Sequence, residues 1–313
     1  MKIIYPTLTW QKPKNIVNDI KELLLNGEKS NFSLTGRDLD ILEVLWKYRF
    51  LQTKQIAALL FANTKKPEKH SAQRLYKLFN VQLVKRYRPW APPGEGTRQF
   101  IYALSPLGWN LLYQKRVRDN PDLEIITPWK EEDDALELSR VIHELELNEF
   151  CIALEQVAER MGLYFEWVPT RAAVQIVSPG QTQKSFRIRP DALIWIGEQV
   201  LHVEYERYSN RRKFQEKLQM WKKYRALGAW KKVSPLEPII LIVGNKENGP
   251  VEGKSRKIRS IVPLMEMAAG EGMANIWFMY NRDWQNDCWM VRNVWKEEQE
   301  LLTLVTEKDR AMK

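Results

Sequence analysis

Between Ser185 and Tyr224 the chain reads SFRIRPDALIWIGEQVLHVEYERYSNRRKFQEKLQMWKKY, and no other run restricts the fold as much. Phe186 to Ile196 and Val200 to Tyr205 are rich in β-branched and aromatic residues, which suit a pleated, half-buried surface. Gly197-Glu198 between them is a two-residue hairpin turn. Such a loop fixes the register. Ile196 faces Gln199, and stepping back along both strands sets Asp191 opposite Glu204. Opposed residues on antiparallel strands have Cβ atoms about 4.5–5.5 Å apart, and Glu206, two residues beyond Glu204, points to the same face. Three carboxylates then crowd one patch of sheet and repel unless something positive sits among them. A hard divalent cation meets that need, because Mg2+ is usually held by one or two carboxylates plus waters. Arginine is the other counter-charge on offer. Arg189 stands opposite Glu206 in this register, and Arg187, Arg207 and Arg212 are near in sequence, although exposed pairs of that kind contribute little.

The hairpin runs into a basic helix. Asn210 caps it, Gly228 ends it after about Leu227, and Lys213 and Lys217, four residues apart, share one face. Pro190-Asp191, a hairpin, then Glu204-Tyr205-Glu206 leading into such a helix resembles the PD-(D/E)XK nuclease superfamily. The lysine expected two residues after the first glutamate is Glu206 in this chain. Some members of the superfamily supply it from the following helix, which brings in Lys213 or Lys217. The resemblance implies a restriction-endonuclease-like α/β domain with a mixed central sheet. It further implies that Asp191 and Glu204 hold Mg2+ or Mn2+, that Glu206 is a ligand or orients the water, and that Lys217 or Lys213 steadies the developing phosphorane charge. Cores of this kind open with a helix that often lends a glutamate to the metal, and Glu146 is the candidate here.

Charge separates the chain into two parts. Residues 33 to 118 hold 16 Lys and Arg against 5 Asp and Glu, whereas the remainder holds 33 against 34, so the whole formal excess of +10 lies in one block. Positive charge concentrated in this way favours a polyanion, most simply nucleic acid. The block reads as three helices, a hairpin and a closing helix. The first follows Thr35-Gly36-Arg37-Asp38, with Leu39, Leu42, Leu45 and Trp46 at helical spacing. The second is capped by Thr53, with Ile56, Leu59 and Leu60 inward. The third runs from about His70 to Phe79, with Leu75, Leu78 and Phe79 inward. Strands at Leu83 to Pro89 and Arg98 to Leu104 flank the turn-rich segment 90–96, and Pro106 opens the last helix. That order predicts a winged helix-turn-helix. Its third helix would offer Lys69, Gln73, Arg74 and Lys77 to a major groove, and its wing would place Lys85, Arg86, Arg88 and Arg98 on phosphate or minor groove.

The expected organisation is an N-terminal arm (1–32, with a short helix over 15–25), the winged helix-turn-helix (33–118), a linker (119–135) and an α/β domain (136–313). A helix is expected over about 136–161, ending at Gly162. A strand over 163–168, an irregular excursion over 171–183 and the hairpin follow it. Pro238 to Asn245 reads as a fully buried strand, Ser255 to Ala268 as a helix, and Asn275 to Tyr280 as a last strand. The tail carries Trp284, Trp289 and Trp295, expected to pack a core, and an amphipathic helix through Trp295, Leu301, Leu302 and Val305. Cys151 and Cys288 lack metal-ligand spacing and fit a reducing cytosol. No run of 18 apolar residues occurs, and the first residues do not suggest a signal peptide, so a cytoplasmic protein without membrane segments is expected.

Taken together, LTGRDLDILEVLWKYRFLQTKQIAALLF, IYALSPLGWNLL, His143-Glu144-Leu145, RPDALIW and HVEYER make most of residues 34–224 resemble the replication-relaxation family of plasmids, integrative elements and phages of Gram-positive bacteria. The resemblance implies DNA binding linked to replication and relaxation of supercoiled DNA, with double-stranded DNA as partner. A homodimer and replication or conjugation proteins stay open as further partners. Two mechanisms also stay open: metal-dependent nicking or cutting of DNA, and a non-catalytic initiator or transcriptional regulator with a degenerate nuclease fold.

Overall fold

A computed structural model describes residues 33–89, 98–119, 138–169, 173–177, 185–207, 210–232, 234–247, 249–251, 254–258, 260–271, 275–286, 289–293 and 300–303. The N-terminal arm, the turn at 90–96, the linker to residue 135, and Trp295 and Val305 of the tail lie outside the described residues. The chain forms two compact units, 1–149 and 150–313.

The first unit contains α1 (Gly36–Tyr48), β1 (Leu51–Gln52), α2 (Thr53–Leu60), α3 (Pro67–Asn80), β2 (Val84–Tyr87), β3 (Ile101–Leu104) and α4 (Pro106–Asp119). The first part of α5 (Leu138–Met161) also belongs to it. The order of elements is the one expected from the sequence, with β1 added as a third strand beside β3. Thr35 and Asp38 cap α1 reciprocally. Ile41, Leu42, Leu45 and Tyr48 recur on one face of that helix and are buried. The cap of α2 is Gln52, in a reciprocal box with Gln55, rather than Thr53; the two-residue strand β1 pulls the backbone into extended geometry one position earlier. Helix α3 starts three residues before the expected His70, at Pro67, whose missing N–H costs nothing in a first turn. Phe50, Ile101, Ala103, Val141 and Leu145 pack into one cluster, which ties the start of α5 to the three-stranded sheet. Arg49 has φ 65°, a conformation rare outside glycine. Asn148 Nδ2 spans this kink, donating to the Tyr48 carbonyl at 2.9 Å and the Phe50 carbonyl at 2.8 Å.

The second unit is a mixed α/β layer structure built on a seven-stranded sheet. Its strands are β4 (Phe165–Pro169), β7 (Ala192–Ile196), β8 (Gln199–Glu206), β9 (Ile239–Gly244), β12 (Ile276–Tyr280), β13 (Met290–Asn293) and β14 (Glu300–Thr303). They lie in the order β14-β13-β12-β9-β8-β7-β4. The run β8-β9-β12 is parallel and the outer pairings are antiparallel. Helix α6 (Arg211–Ala226) crosses from β8 to β9, and α7 (Val262–Gly270) precedes β12. Phe214, Leu218 and Trp221 of α6 join Leu264, Met265 and Ala268 of α7 over Ile240, Ile242, Ile276 and Phe278. Phe150, on the second part of α5, meets Trp284 of α8 (Asn281–Gln285) edge-on at 5.6 Å and Trp289 at 6.0 Å. Those two tryptophans are buried core residues, as expected. No described helix is long and apolar enough to cross a membrane.

Four expectations fail in this unit. The strand expected over Phe186–Ile196 is broken into β6 (Phe186–Ile188) and β7, because Pro190 has no N–H to give a ladder. The excursion before it holds β5 (Gln175–Val177), which pairs only with β6. Residues 254–258 form β11, paired with β10 (Gly249–Val251), so the helix expected from Ser255 begins at Val262 instead. Residues 300–303 are strand β14, not helix: Leu301 and Leu302 sit opposite Arg292 and Val291 and complete the backbone pairing of β13.

A candidate site where a carboxylate patch meets a lysine

The hairpin has the register expected from its turn. Ile196 pairs with Gln199 and Ala192 with Val203, and Asp191, one step further, donates its N–H to the Val203 carbonyl at 2.9 Å. Asp191 thus sits just past the last paired residues, near enough to Glu204 for its charge to act on that carboxyl. The Asp191 carboxylate also replaces a missing ladder acceptor: Oδ2 takes the Tyr205 N–H at 2.9 Å. Pro190 ends the strand and Asp191 stitches the frayed end back to β8, so the carboxylate is fixed by the backbone itself.

β8 alternates. His202, Glu204 and Glu206 point to the α6 side of the sheet. Asn210 Oδ1 caps α6 by accepting the Lys213 N–H at 3.1 Å. Two turns into the helix, Lys217 Nζ donates to Glu204 Oε2 at 2.6 Å and to Glu206 Oε1 at 2.9 Å. Of the two lysines left open by the sequence, Lys217 is thus the one whose ammonium reaches the carboxylates; Lys213 is exposed one turn earlier on the same face. The Glu204 side chain is only 3% exposed, against 29% for Lys217 and 17% for Glu206. Of the arginines read as counter-charges, Arg212 pairs with Glu216 one helical turn on, Arg187 and Arg189 are exposed, and Arg207 is buried.

Burial dominates the electrostatics. It pushes the Glu204 carboxyl up to about 8; the charges of Asp191 and Glu206 add to the rise, and Lys217 opposes it. Burial pulls the Lys217 ammonium down, but the attraction of Glu204, Glu206 and Asp191 together outweighs it and leaves Lys217 raised. Fully ionised, three carboxylates and one ammonium carry a net charge of −2. That is the charge a divalent cation cancels, and the donors are hard oxygens of the kind Mg2+ and Mn2+ prefer. Among the described residues no group of three or more His, Cys, Asp or Glu is placed so that it could hold a metal ion.

His202 escaped the sequence reading. It is fully buried, with neither ring nitrogen hydrogen-bonded, and it packs edge-on against Trp221 at 4.8 Å and near Tyr224 at 5.6 Å. Burial lowers its pKa to about 3 and keeps it neutral. The signal was available: it precedes Glu204 by two residues and so shares its face.

In the first unit, Lys69, Gln73 and Lys77 are exposed along the outer face of α3, with Tyr76 between them. Arg74 is engaged otherwise. Its guanidinium bonds the carboxylate of Asp38, which is wholly buried, and Thr35 Oγ1 at 3.0 Å, so it anchors α3 to the cap of α1. On the hairpin, Arg86 lies 4.1 Å from the Phe79 ring centre and 4.4 Å from Phe100. Arg88 lies 3.8 Å from Phe100. Lys85 and Arg98 are half-buried. Glu146 is half-buried on α5, whose neighbouring acids are tied within the first unit: Glu144 to Arg49 at 3.2 Å and Glu149 to Lys54 at 2.8 Å.

No curated protein and no solved structure matches this chain. The family model for replication-relaxation matches residues 42–238, a span from α1 through the hairpin and α6. That span takes in more than half of the chain, including Asp191, Glu204, Glu206 and Lys217, and on it the chain belongs to the replication-relaxation family.

Proposed function

We propose that this is a DNA-binding protein of a plasmid, integrative element or phage that nicks or cuts DNA with a divalent metal during replication or relaxation. The observation that carries the cleavage half is the Lys217 ammonium held 2.6 Å from Glu204 and 2.9 Å from Glu206, with the Asp191 charge near enough to act on both Lys217 and Glu204. Two acids and an ammonium at one end of a hairpin are the parts that metal-assisted phosphodiester hydrolysis needs. Asp191 and Glu204 supply the oxygen donors, and the Mg2+ or Mn2+ they would hold supplies Lewis acidity and an acidified water. Glu206 orients Lys217 from its far side. Lys217 faces the charge that develops on phosphorus oxygens and would stabilise it there.

The DNA-binding half is a winged helix-turn-helix reading of the first unit. The exposed Lys69, Gln73 and Lys77 of α3 face the major groove, and Arg86, Arg88, Lys85 and Arg98 of the hairpin meet phosphate. Arg74 supports α3 from behind. The segregation of the chain's positive excess to residues 33–118 supports this half.

A second reading has its own observation. Lys217 already ion-pairs with both Glu204 and Glu206, and acids paired in this way also suit a non-catalytic initiator or regulator. One experiment separates them: nicking of supercoiled plasmid in Mg2+ or Mn2+ by wild type, Asp191→Ala, Glu204→Ala and Lys217→Met, with calorimetric metal titration alongside. Metal-dependent nicking lost in all three variants supports cleavage. Absence of both nicking and metal binding at millimolar concentration leaves the regulator.

A further inference from the structure

β5 and β6 form a two-stranded ribbon outside the seven-stranded sheet, with Ile176 directly opposite Arg187. One face of the ribbon is anchored. Val177 and Ile188 are buried with Phe214, Leu218, Trp221 and Tyr224, and the Tyr224 hydroxyl donates to Gln175 Oε1 at 2.5 Å. The opposite face is bare. Ile176 is 63% exposed, Val174 beside it is 36% exposed, and Arg187 and Arg189 are exposed as well.

A single exposed aliphatic residue needs no explanation. Here Val174, the residue before β5, is exposed two positions from Ile176, and an exposed guanidinium stands directly across from Ile176. Paired guanidinium groups select a polyanion. An aliphatic tip among them selects a polyanion with an apolar interior that can be opened, which is stacked duplex DNA. Minor-groove proteins combine arginines with an Ile, Leu or Phe wedge between base steps in this way, and β-ribbons are among the elements that serve. The ribbon also leads straight to the carboxylate patch. Arg187 precedes Asp191 by four residues, at most about 13 Å of extended chain.

We propose that the outer face of this ribbon is a DNA wedge. Ile176, backed by Val174, enters the minor groove between base steps, while Arg187 and Arg189 hold the flanking phosphates. The wedge rests on the reading of the second unit as a DNA-processing site and adds its substrate form: an intact duplex unstacked beside the position to be cut, not a strand already separated.

The test uses the full chain and an A·T-rich duplex carrying 2-aminopurine, whose fluorescence rises when its base step unstacks. Wild type at saturating concentration should raise the signal, and Ile176→Ser should remove the rise. The Arg187→Gln/Arg189→Gln variant should flatten the dependence of log affinity on log salt by about 0.9 for each phosphate no longer neutralised, about 1.8 for the pair. The substituted side chains are exposed, so unchanged thermal melting checks that the variants fold. No rise with wild type, an equal rise with Ile176→Ser, or an unchanged salt slope overturns the wedge; a ribbon that docks a protein instead gives the last two results. Nicking of the same duplex is scored separately. Unstacking without nicking refutes cleavage alone, and nicking without unstacking refutes the wedge alone.

Discussion

Glu204→Gln is the sharpest perturbation of the carboxylate patch, because it removes the charge and keeps the shape. In the folded chain the Glu204 carboxyl is pushed from 4.5 up to about 8, chiefly by burial. Between those pH values the folded state holds a proton that the unfolded state has released. The unfolding free energy of wild type therefore falls as pH rises through that window and levels off above about 8. At about 1.4 kcal/mol per pH unit, the loss carried by this one group approaches about 5 kcal/mol. Glutamine does not titrate, so the variant escapes the loss. The measurement is urea unfolding of both proteins from pH 4.5 to 9, reading the difference between them so that titrating groups remote from Glu204 cancel. The variant should gain on wild type by several kcal/mol across the window, with most of the gain complete by pH 8. Adding millimolar Mg2+ should flatten the wild-type curve, since a bound cation favours the ionised carboxylate, and leave the variant unmoved. A difference that stays constant within about 1 kcal/mol from pH 5 to 9 refutes the argument that burial governs this site.

Lys217→Met should cost about 3–5 kcal/mol well above pH 8, where Glu204 would be an ionised, buried carboxylate without its counter-charge, and less near neutral pH, where Glu204 holds a proton. Combined with Glu204→Gln the cost should shrink by more than about 1 kcal/mol, and a double-mutant cycle in urea reads that coupling. In the first unit, Asn148→Ala removes the side-chain donor to the Tyr48 and Phe50 carbonyls around the strained Arg49; the Tyr48 carbonyl keeps the Phe50 N–H, so the cost should be about 1–3 kcal/mol, chiefly at Phe50. Asn148→Asp should be at least as harmful, since it keeps the shape but replaces the donor with an acceptor; thermal melting of the full chain reads both.

What could be read from the residues was whatever local chemistry fixes. Gly197-Glu198 sets the hairpin register as far as Ala192 and Val203, and Asn210 sets the start of α6 and so the turn on which Lys217 lies. The unbroken run Ile239 to Gly244 is the strand between two parallel neighbours, as its lack of alternation demands. What escaped depends on distant partners. Leu301 and Leu302 fit a helix as well as a strand, and the open edge of β13 decides for the strand. The segment 254–258 is rich in Lys, Ser and Arg and carries no strand signal of its own; pairing with β10 supplies it. Arg74 looks like any outward base on a basic helix until α1 brings the buried Asp38 against it.

β8 is hydrogen-bonded along both flanks, to β7 on one side and to β9 on the other. Its backbone is among the last to open in any local fluctuation. Glu204 and Glu206 ride on that strand and Asp191 is stitched to it, so the three acids form a stationary bed. Lys217 approaches from another element on a long side chain with four rotatable bonds. Any adjustment within the patch therefore falls to the Lys217 side chain, while the acids stand still.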